Sequence, residues 1–171
     1  MLVENKVLAE FAELIREKKT QPYSGELKTG VDLGTANIVI AVTDSENHPI
    51  AGASAPSHVV KDGIVVDFIG AIRTVKELKA QLEEQLGVSL DTAATAIPPG
   101  IMSGNVRCIS NVVEGAGFGR GRGGRRRRNH RNQYFEGWKG DLYGGRSHRW
   151  NPYDTGTCRL LWNLFRRGGG A

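Results

Sequence analysis

The chain has few of the residues that build metal sites or disulfide frameworks. Its two cysteines, Cys108 and Cys158, lie far apart without a CxxC pair, so their spacing predicts neither zinc binding nor a disulfide scaffold. Cys108 falls in an apolar helical pattern, and we expect it to be a buried thiol. The chain also lacks an apolar stretch long enough to span a bilayer, and "MLVENKVLAEF" has no signal-peptide pattern. These absences predict a soluble cytoplasmic protein that does not bind membranes.

The two ends of the chain differ sharply in charge. Residues 1–118 carry 10 Lys and Arg against 15 Asp and Glu, a net charge of −5, whereas residues 119–171 carry 13 against 3, a net charge of +10. Lysine is nearly missing from the second part, which has one Lys and 12 Arg. Such asymmetry is typical of a basic arm that binds nucleic acid, or of two segments that were not selected together.

The first part alternates between helix and strand patterns. "ENKVLAEFAELIREKK" predicts an amphipathic helix, and "VDL", "IVIAV" and "IAGASA" predict three strands joined by turns. A second helix is predicted from an apolar stripe, with Asp67 as its cap and Gly87 as its stop. "TAATAIPPG" predicts a short strand and "NVRCISNVVEGAGF" a third helix. The stripe of the second helix consists of Ile69, Ile72, Val75, Leu78, Leu82 and Leu86.

This order predicts an α/β fold in three parts. Residues 1–28 would form the amino-terminal helix and a polar linker, and residues 29–118 an α/β subdomain. Residues 119–171 would form a largely disordered Gly/Arg-rich tail.

The segment "VDLGTANI" carries the clearest chemistry. An acid at the end of a strand, followed by Gly34 and Thr35, predicts a tight turn whose amides face an anion. Asp32 could then hold a hydrated Mg²⁺, and Gly34 would let the backbone approach a phosphate closely. In the alternative interpretation, Asp32 and Thr35 only hydrogen-bond the turn.

An ordered run of motifs gives the chain a family resemblance. "VDLGT" with its hairpin, then "VKDGIVVDF" before a helix, then "AIPPG" before another helix, resemble the first lobe of the actin-like ATPases, which have a ribonuclease H-like fold. Within that superfamily, residues 1–118 are most similar to the EutJ (ethanolamine utilization protein J) family. The resemblance implies that ATP and Mg²⁺ contact four residues, with Mg²⁺ held by Asp32 through water: Asp32, Gly34, Thr35 and Asn37.

The same resemblance implies a function and partners. EutJ-type proteins are expected to be chaperone-like reactivases of ethanolamine ammonia-lyase, so that enzyme or microcompartment proteins would be partners. "VKDGIVVDF" and "IPPG" also resemble the shape-determining filament proteins, which keeps an actin-like cytoskeletal function open as an alternative.

The tail lacks the parts that this family has next: an "EPTAA" helix, a second phosphate loop and an adenosine-side glycine pair. Shifting the codons of residues 122–142 by one base allows "VVDVGGGTTGISILKDGKVIF", a second phosphate loop in another reading frame. This favours a frame-shifted remnant after a deletion, and predicts weak or no binding of ATP and no hydrolysis. The alternative is an evolved RNA-binding arm, in which arginines alternate with aromatic residues. In either case we expect non-specific attraction to polyanions.

Overall fold

The computed structural model describes residues 2–61, 64–96, 103–119 and 134–135. It confirms the α/β class and the order of the elements. The last four residues of the predicted strand segment "TAATAIPPG", 97–100, lie outside the described residues. The helices are α1 (Leu2–Glu17), α2 (Phe68–Leu86) and α3 (Ser103–Gly115). The strands are β1 (Lys28–Leu33), β2 (Asn37–Thr43), β3 (Pro49–Pro56), β4 (Val60–Lys61), β5 (Ile64–Val65), β6 (Ala94–Ala96) and β7 (Tyr134–Phe135).

A mixed five-stranded sheet organises the molecule, in the order β3-β2-β1-β6-β7. The first three strands are antiparallel neighbours, and β6 joins β1 in the parallel direction. Strands β4 and β5 form a separate two-stranded sheet that leads into α2. The chain reaches β6 from β3 through β4, β5 and α2, and α2 packs back onto the sheet.

Helices cover the sheet on both faces. On one face, α2 and α3 bury the main core against Val31, Leu33, Ile38 and Ile40. On the other face, Phe11 of α1 forms a smaller cluster with Val39 and Ala41, flanked by Val7, Leu8 and Ile15. Burial on both faces explains why β2 reads as a continuous apolar run and not as an alternating one.

The predicted ends of α2 are confirmed, but one position of its stripe is wrong. The Asp67 carboxylate accepts a hydrogen bond from the Gly70 amide at 2.9 Å, and Gly87 ends the helix with a left-handed φ of 68°. Ile69 is 72% exposed, because it lies about 200° around the helix from buried Ala71 at 3.6 residues per turn. The buried positions are Gly70, Ala71, Val75, Leu78 and Leu82.

The third helix buries most of the apolar stripe that its spacing predicts, but Val106 is only half-buried. Ile109, Val112 and Val113 are buried in the main core. Cys108 is a free thiol and only half-buried, which corrects the prediction of a buried one. Its position beside Ile109 puts it at the border of the apolar stripe, where one side of the residue still meets solvent.

Two residues of the tail belong to the sheet. Tyr134 and Phe135 form β7, which pairs in parallel with Thr95 and Ala96 of β6. Aromatic residues favour strands, and without this pairing the outer backbone groups of β6 would form an open sheet edge. Residues 120–133 and 136–171 lie outside the described residues, so the other predictions about the tail stay predictions.

Small residues allow α1 to lie close to the sheet. Gly30, Ala41 and Gly52 are register partners across β1, β2 and β3, and they share one face. A Cβ atom on Gly52 would lie 2.6 Å from Cε2 of Phe11 and 2.8 Å from Cγ1 of Ile15. The docking of α1 therefore requires glycine at position 52.

We expect Gly52→Val to destabilise the protein by about 1–3 kcal/mol, because the fully buried Phe11 ring must move. Valine favours strands, so any loss measures the steric clash and not strand propensity. Urea unfolding gives the stability, and limited proteolysis at the linker between α1 and β1 reports release of the helix. Gly104→Ala is the control, because nothing lies within 4 Å of its added Cβ. Unchanged unfolding and proteolysis in Gly52→Val would contradict this account of α1 docking.

Candidate phosphate and magnesium site

The loop between β1 and β2 brings the predicted site residues together. Leu33 pairs with Ile38, so residues 34–37 make a short connection, closed by the Gly34 amide donating to the Asn37 carbonyl at 3.0 Å. Gly34 is not among the described glycines with positive φ. Its contribution is therefore the missing side chain, which leaves the backbone open to approach. All four predicted residues lie at this end of the hairpin: Asp32, Gly34, Thr35 and Asn37.

The loop is also held from the β3 side. The Ser57 amide donates to the Ala36 carbonyl at 2.8 Å, one step beyond the pairing of Asn37 with Pro56. Among the described residues, no backbone hydrogen bond uses the amides of Thr35 or Ala36, and both residues are exposed. Two amide donors of a fixed loop are thus available to an anion.

Ser57 was not predicted from the sequence. It lies 21 residues after Ala36 and carries no recognisable motif. Only the register of β2 against β3 brings its amide to the loop.

Asp32 is the charged group of this site. Its register partner is Val39, which packs against α1, so the carboxylate lies on the α1 face of the sheet. Asp32 is half-buried, and its carboxylate has no hydrogen bond or ion pair with any described residue. Burial raises the pKa of Asp32 to about 6, from an ordinary value of 3.8. The alternative in which Asp32 and Thr35 only hydrogen-bond the turn does not match the described contacts.

The donor set fits Mg²⁺ held mainly through water and phosphate. No cluster of three or more His, Cys, Asp or Glu residues that could hold a metal exists in the described part of the chain. Mg²⁺ commonly takes only one or two protein carboxylates and keeps several waters or phosphate oxygens. A single half-buried carboxylate without a counter-ion, beside available amides, meets that requirement.

Residues 122–142, which would spell a second phosphate loop only in a shifted reading frame, lie mostly outside the described residues. Helices long and apolar enough to cross a membrane are absent from the described residues.

Comparisons with known proteins agree with the fold and its hairpin. No family model matches the chain. Ethanolamine utilization protein EutJ of Salmonella typhimurium is 44% identical over 89 residues, covering 52% of this chain and 31% of that protein. The Escherichia coli EutJ is 43% identical over 89 residues with the same coverage. The crystal structure of EutJ from Carboxydothermus hydrogenoformans superposes with a TM-score of 0.65 at 49% identity, covering 68% of this chain and 43% of that one.

A more distant match is cell division protein FtsA of Streptococcus pneumoniae, 32% identical over 77 residues, or 43% of this chain and 17% of that protein. Together the matches confirm the resemblance: the amino-terminal part is a EutJ-like part of an actin-like ATPase fold. The chain spans about a third of the length of the curated EutJ relatives that it matches.

We expect Asp32→Asn to stabilise the protein at neutral pH. The raised pKa means that ionising Asp32 costs the folded state free energy. Its contribution to stability is present below pH 4 and is lost as pH rises through about 6. The variant should therefore gain up to about 3 kcal/mol at pH 8, and the gain should vanish near pH 4.

Urea unfolding of both proteins between pH 4 and pH 8 measures this difference. Glu77→Gln is the matched control, because it removes one carboxylate from an exposed position on α2. Parallel stability curves for Asp32→Asn and the natural chain would show that the carboxylate is well solvated.

Proposed function

We propose that the EutJ-like part of this chain is a nucleotide-phosphate lobe of an ethanolamine-utilization protein, and that it holds Mg²⁺ and phosphate at the β1–β2 loop. The observation that carries this proposal is the half-buried Asp32 carboxylate without a described partner, next to a loop with two available amides. The similarity to EutJ proteins supports the assignment to this pathway.

Each predicted residue has a role in this proposal. Asp32 would hold the hydrated Mg²⁺, which would neutralise phosphate charge. The nearby cation would favour the ionised carboxylate, with its proton released to solvent, and so offset the cost of burial. The amides of Thr35 and Ala36 donate to phosphate oxygens, and the exposed side chains of Thr35 and Asn37 add further donors. Gly34 keeps the approach open.

Binding at this loop alone is weak, and we propose that the chain does not hydrolyse ATP. Tight nucleotide binding needs convergent contacts from both walls of a cleft, and positioning of the reacting groups needs the same. The tail as written does not contain the second phosphate loop or the adenosine-side glycine pair. In this proposal the β1–β2 loop therefore supplies one side of such a cleft.

Titration calorimetry of the full chain with Mg²⁺ and ATP tests the site. We expect weak, Mg²⁺-dependent binding that Asp32→Asn reduces about tenfold or more, equivalent to about 1.4 kcal/mol. In excess EDTA the two proteins should bind ATP equally, because the lost contact is the one to the cation. Glu77→Gln should bind as the natural chain does. If the natural chain and Asp32→Asn bind ATP with equal Mg²⁺-dependent affinity, the site is not at this loop. Phosphate release above background would show that the chain hydrolyses ATP and would contradict the second proposal.

The intact counterpart is proposed to be a chaperone-like reactivase of ethanolamine ammonia-lyase. The lyase or microcompartment proteins would then be its partners, in the cytoplasm. The support for this step is the name of the similar proteins, which assigns them to ethanolamine utilization, together with their actin-like fold.

An actin-like cytoskeletal protein is the second candidate, because a cell division protein also matches 43% of the chain. The genes beside the coding sequence separate the two. Lyase and microcompartment genes favour the first proposal, and cell-wall genes favour the second.

We propose that the Gly/Arg-rich tail is a frame-shifted remnant. Resequencing the codons for residues 118–130 tests this proposal. The bases should spell the start of "VVDVGGGTTG" when read one base out of frame, which would also explain the tail's bias toward arginine. If those codons cannot encode that string, the tail was selected as written, and RNA binding becomes its leading function.

A further inference from the structure

Ser57 carries a buried hydroxyl without a partner directly beside the phosphate loop. The residue follows β3 and is 4% exposed. Its Oγ is fully buried and has no hydrogen-bond partner among the described residues. Its amide, in contrast, is fixed to the Ala36 carbonyl at 2.8 Å. The unpaired hydroxyl is therefore held next to the loop through its own backbone.

An unpaired buried hydroxyl destabilises the folded state, because it has lost its hydrogen bonds to water and gained none within the protein. Most buried polar groups in proteins are therefore paired. Alanine at this position would remove the penalty and keep the bond from the residue 57 amide to Ala36. The hydroxyl forms no hydrogen bond in the described conformation, so a use for it would require a conformation in which it is paired.

The backbone geometry indicates what that use is. A trans peptide group is planar, and its carbonyl and amide point in opposite directions. The Ala36 carbonyl points toward Ser57, so the amide of Asn37 in the same peptide group points away from β3, toward the β1 side of the hairpin. Whatever fixes this peptide group therefore also fixes the direction of the Asn37 amide, a further donor beside those of Thr35 and Ala36.

We propose that Ser57 is a positioning residue of the phosphate loop, whose hydroxyl hydrogen-bonds the loop backbone when magnesium and phosphate are bound. This inference rests on the proposed function of the loop. Ser57 does not touch the phosphate in this proposal. It holds the peptide group of Ala36 and Asn37 in the orientation that donates to the phosphate, and binding supplies the small loop movement that pairs the hydroxyl.

The test separates binding from stability. In Ser57→Ala we expect urea unfolding at an equal or higher denaturant concentration, but a Kd for Mg²⁺ and ATP about five- to tenfold higher. Ser57→Cys fills nearly the same space with a weakly bonding group, so it should also bind less tightly, which separates hydrogen bonding from volume. The control is Ser54→Ala, because Ser54 is exposed on β3 and should leave both readouts unchanged.

Amide NMR signals of residues 35–37 give a second readout. Addition of Mg²⁺ and ATP should slow hydrogen exchange of these amides in the natural chain, and less so in Ser57→Ala. If the natural chain binds and Ser57→Ala binds equally well, the positioning role is wrong while the proposed function stands. If the natural chain does not bind Mg²⁺ and ATP, the proposed function fails and this inference fails with it.

Discussion

The burial of β2 on both faces is the constraint on which the rest of the structure depends. Every residue of this strand after Asn37 is buried, with α1 over one face and α2 and α3 over the other. A slip of one residue would exchange the two faces, so the pairing with β1 and β3 admits a single register. The single register also fixes the two ends of the loop between Leu33 and Ile38, although the residues of the loop are largely exposed.

The same arrangement gives Asp32 its unusual environment. The acid lies at the end of β1 on the α1 face, opposite Val39, where neighbouring apolar groups displace solvent without offering a hydrogen bond. A carboxylate that served only solubility would be better placed on the outer surface of a helix. Ionisable groups perturbed by burial are concentrated at functional sites, where stability is given up for chemistry.

Local sequence patterns were sufficient for features that depend on neighbouring residues. The cap at Asp67, the stop at Gly87 and the hairpin around Gly34 each follow from the chemistry of a few adjacent positions. Ser57 could not be found in this way, because its contact depends on the register of two strands. Ile69 was misassigned because apolar spacing does not say which of two adjoining helix faces meets the core. Tyr134 and Phe135 form a strand in a segment whose composition predicts disorder, since pairing with β6 outweighs composition.

The contact of Phe11 with Gly52 has a consequence for the order in which the protein acquires its structure. Helix α1 comes first in the sequence, but the surface that receives it is assembled from β2 and β3, which end 39 residues after the last residue of α1. As the chain leaves the ribosome, the surface on which the amphipathic helix α1 packs is incomplete until residue 56 has emerged. During that interval the helix is exposed to premature association, and its acidic and basic side chains help to keep it in solution.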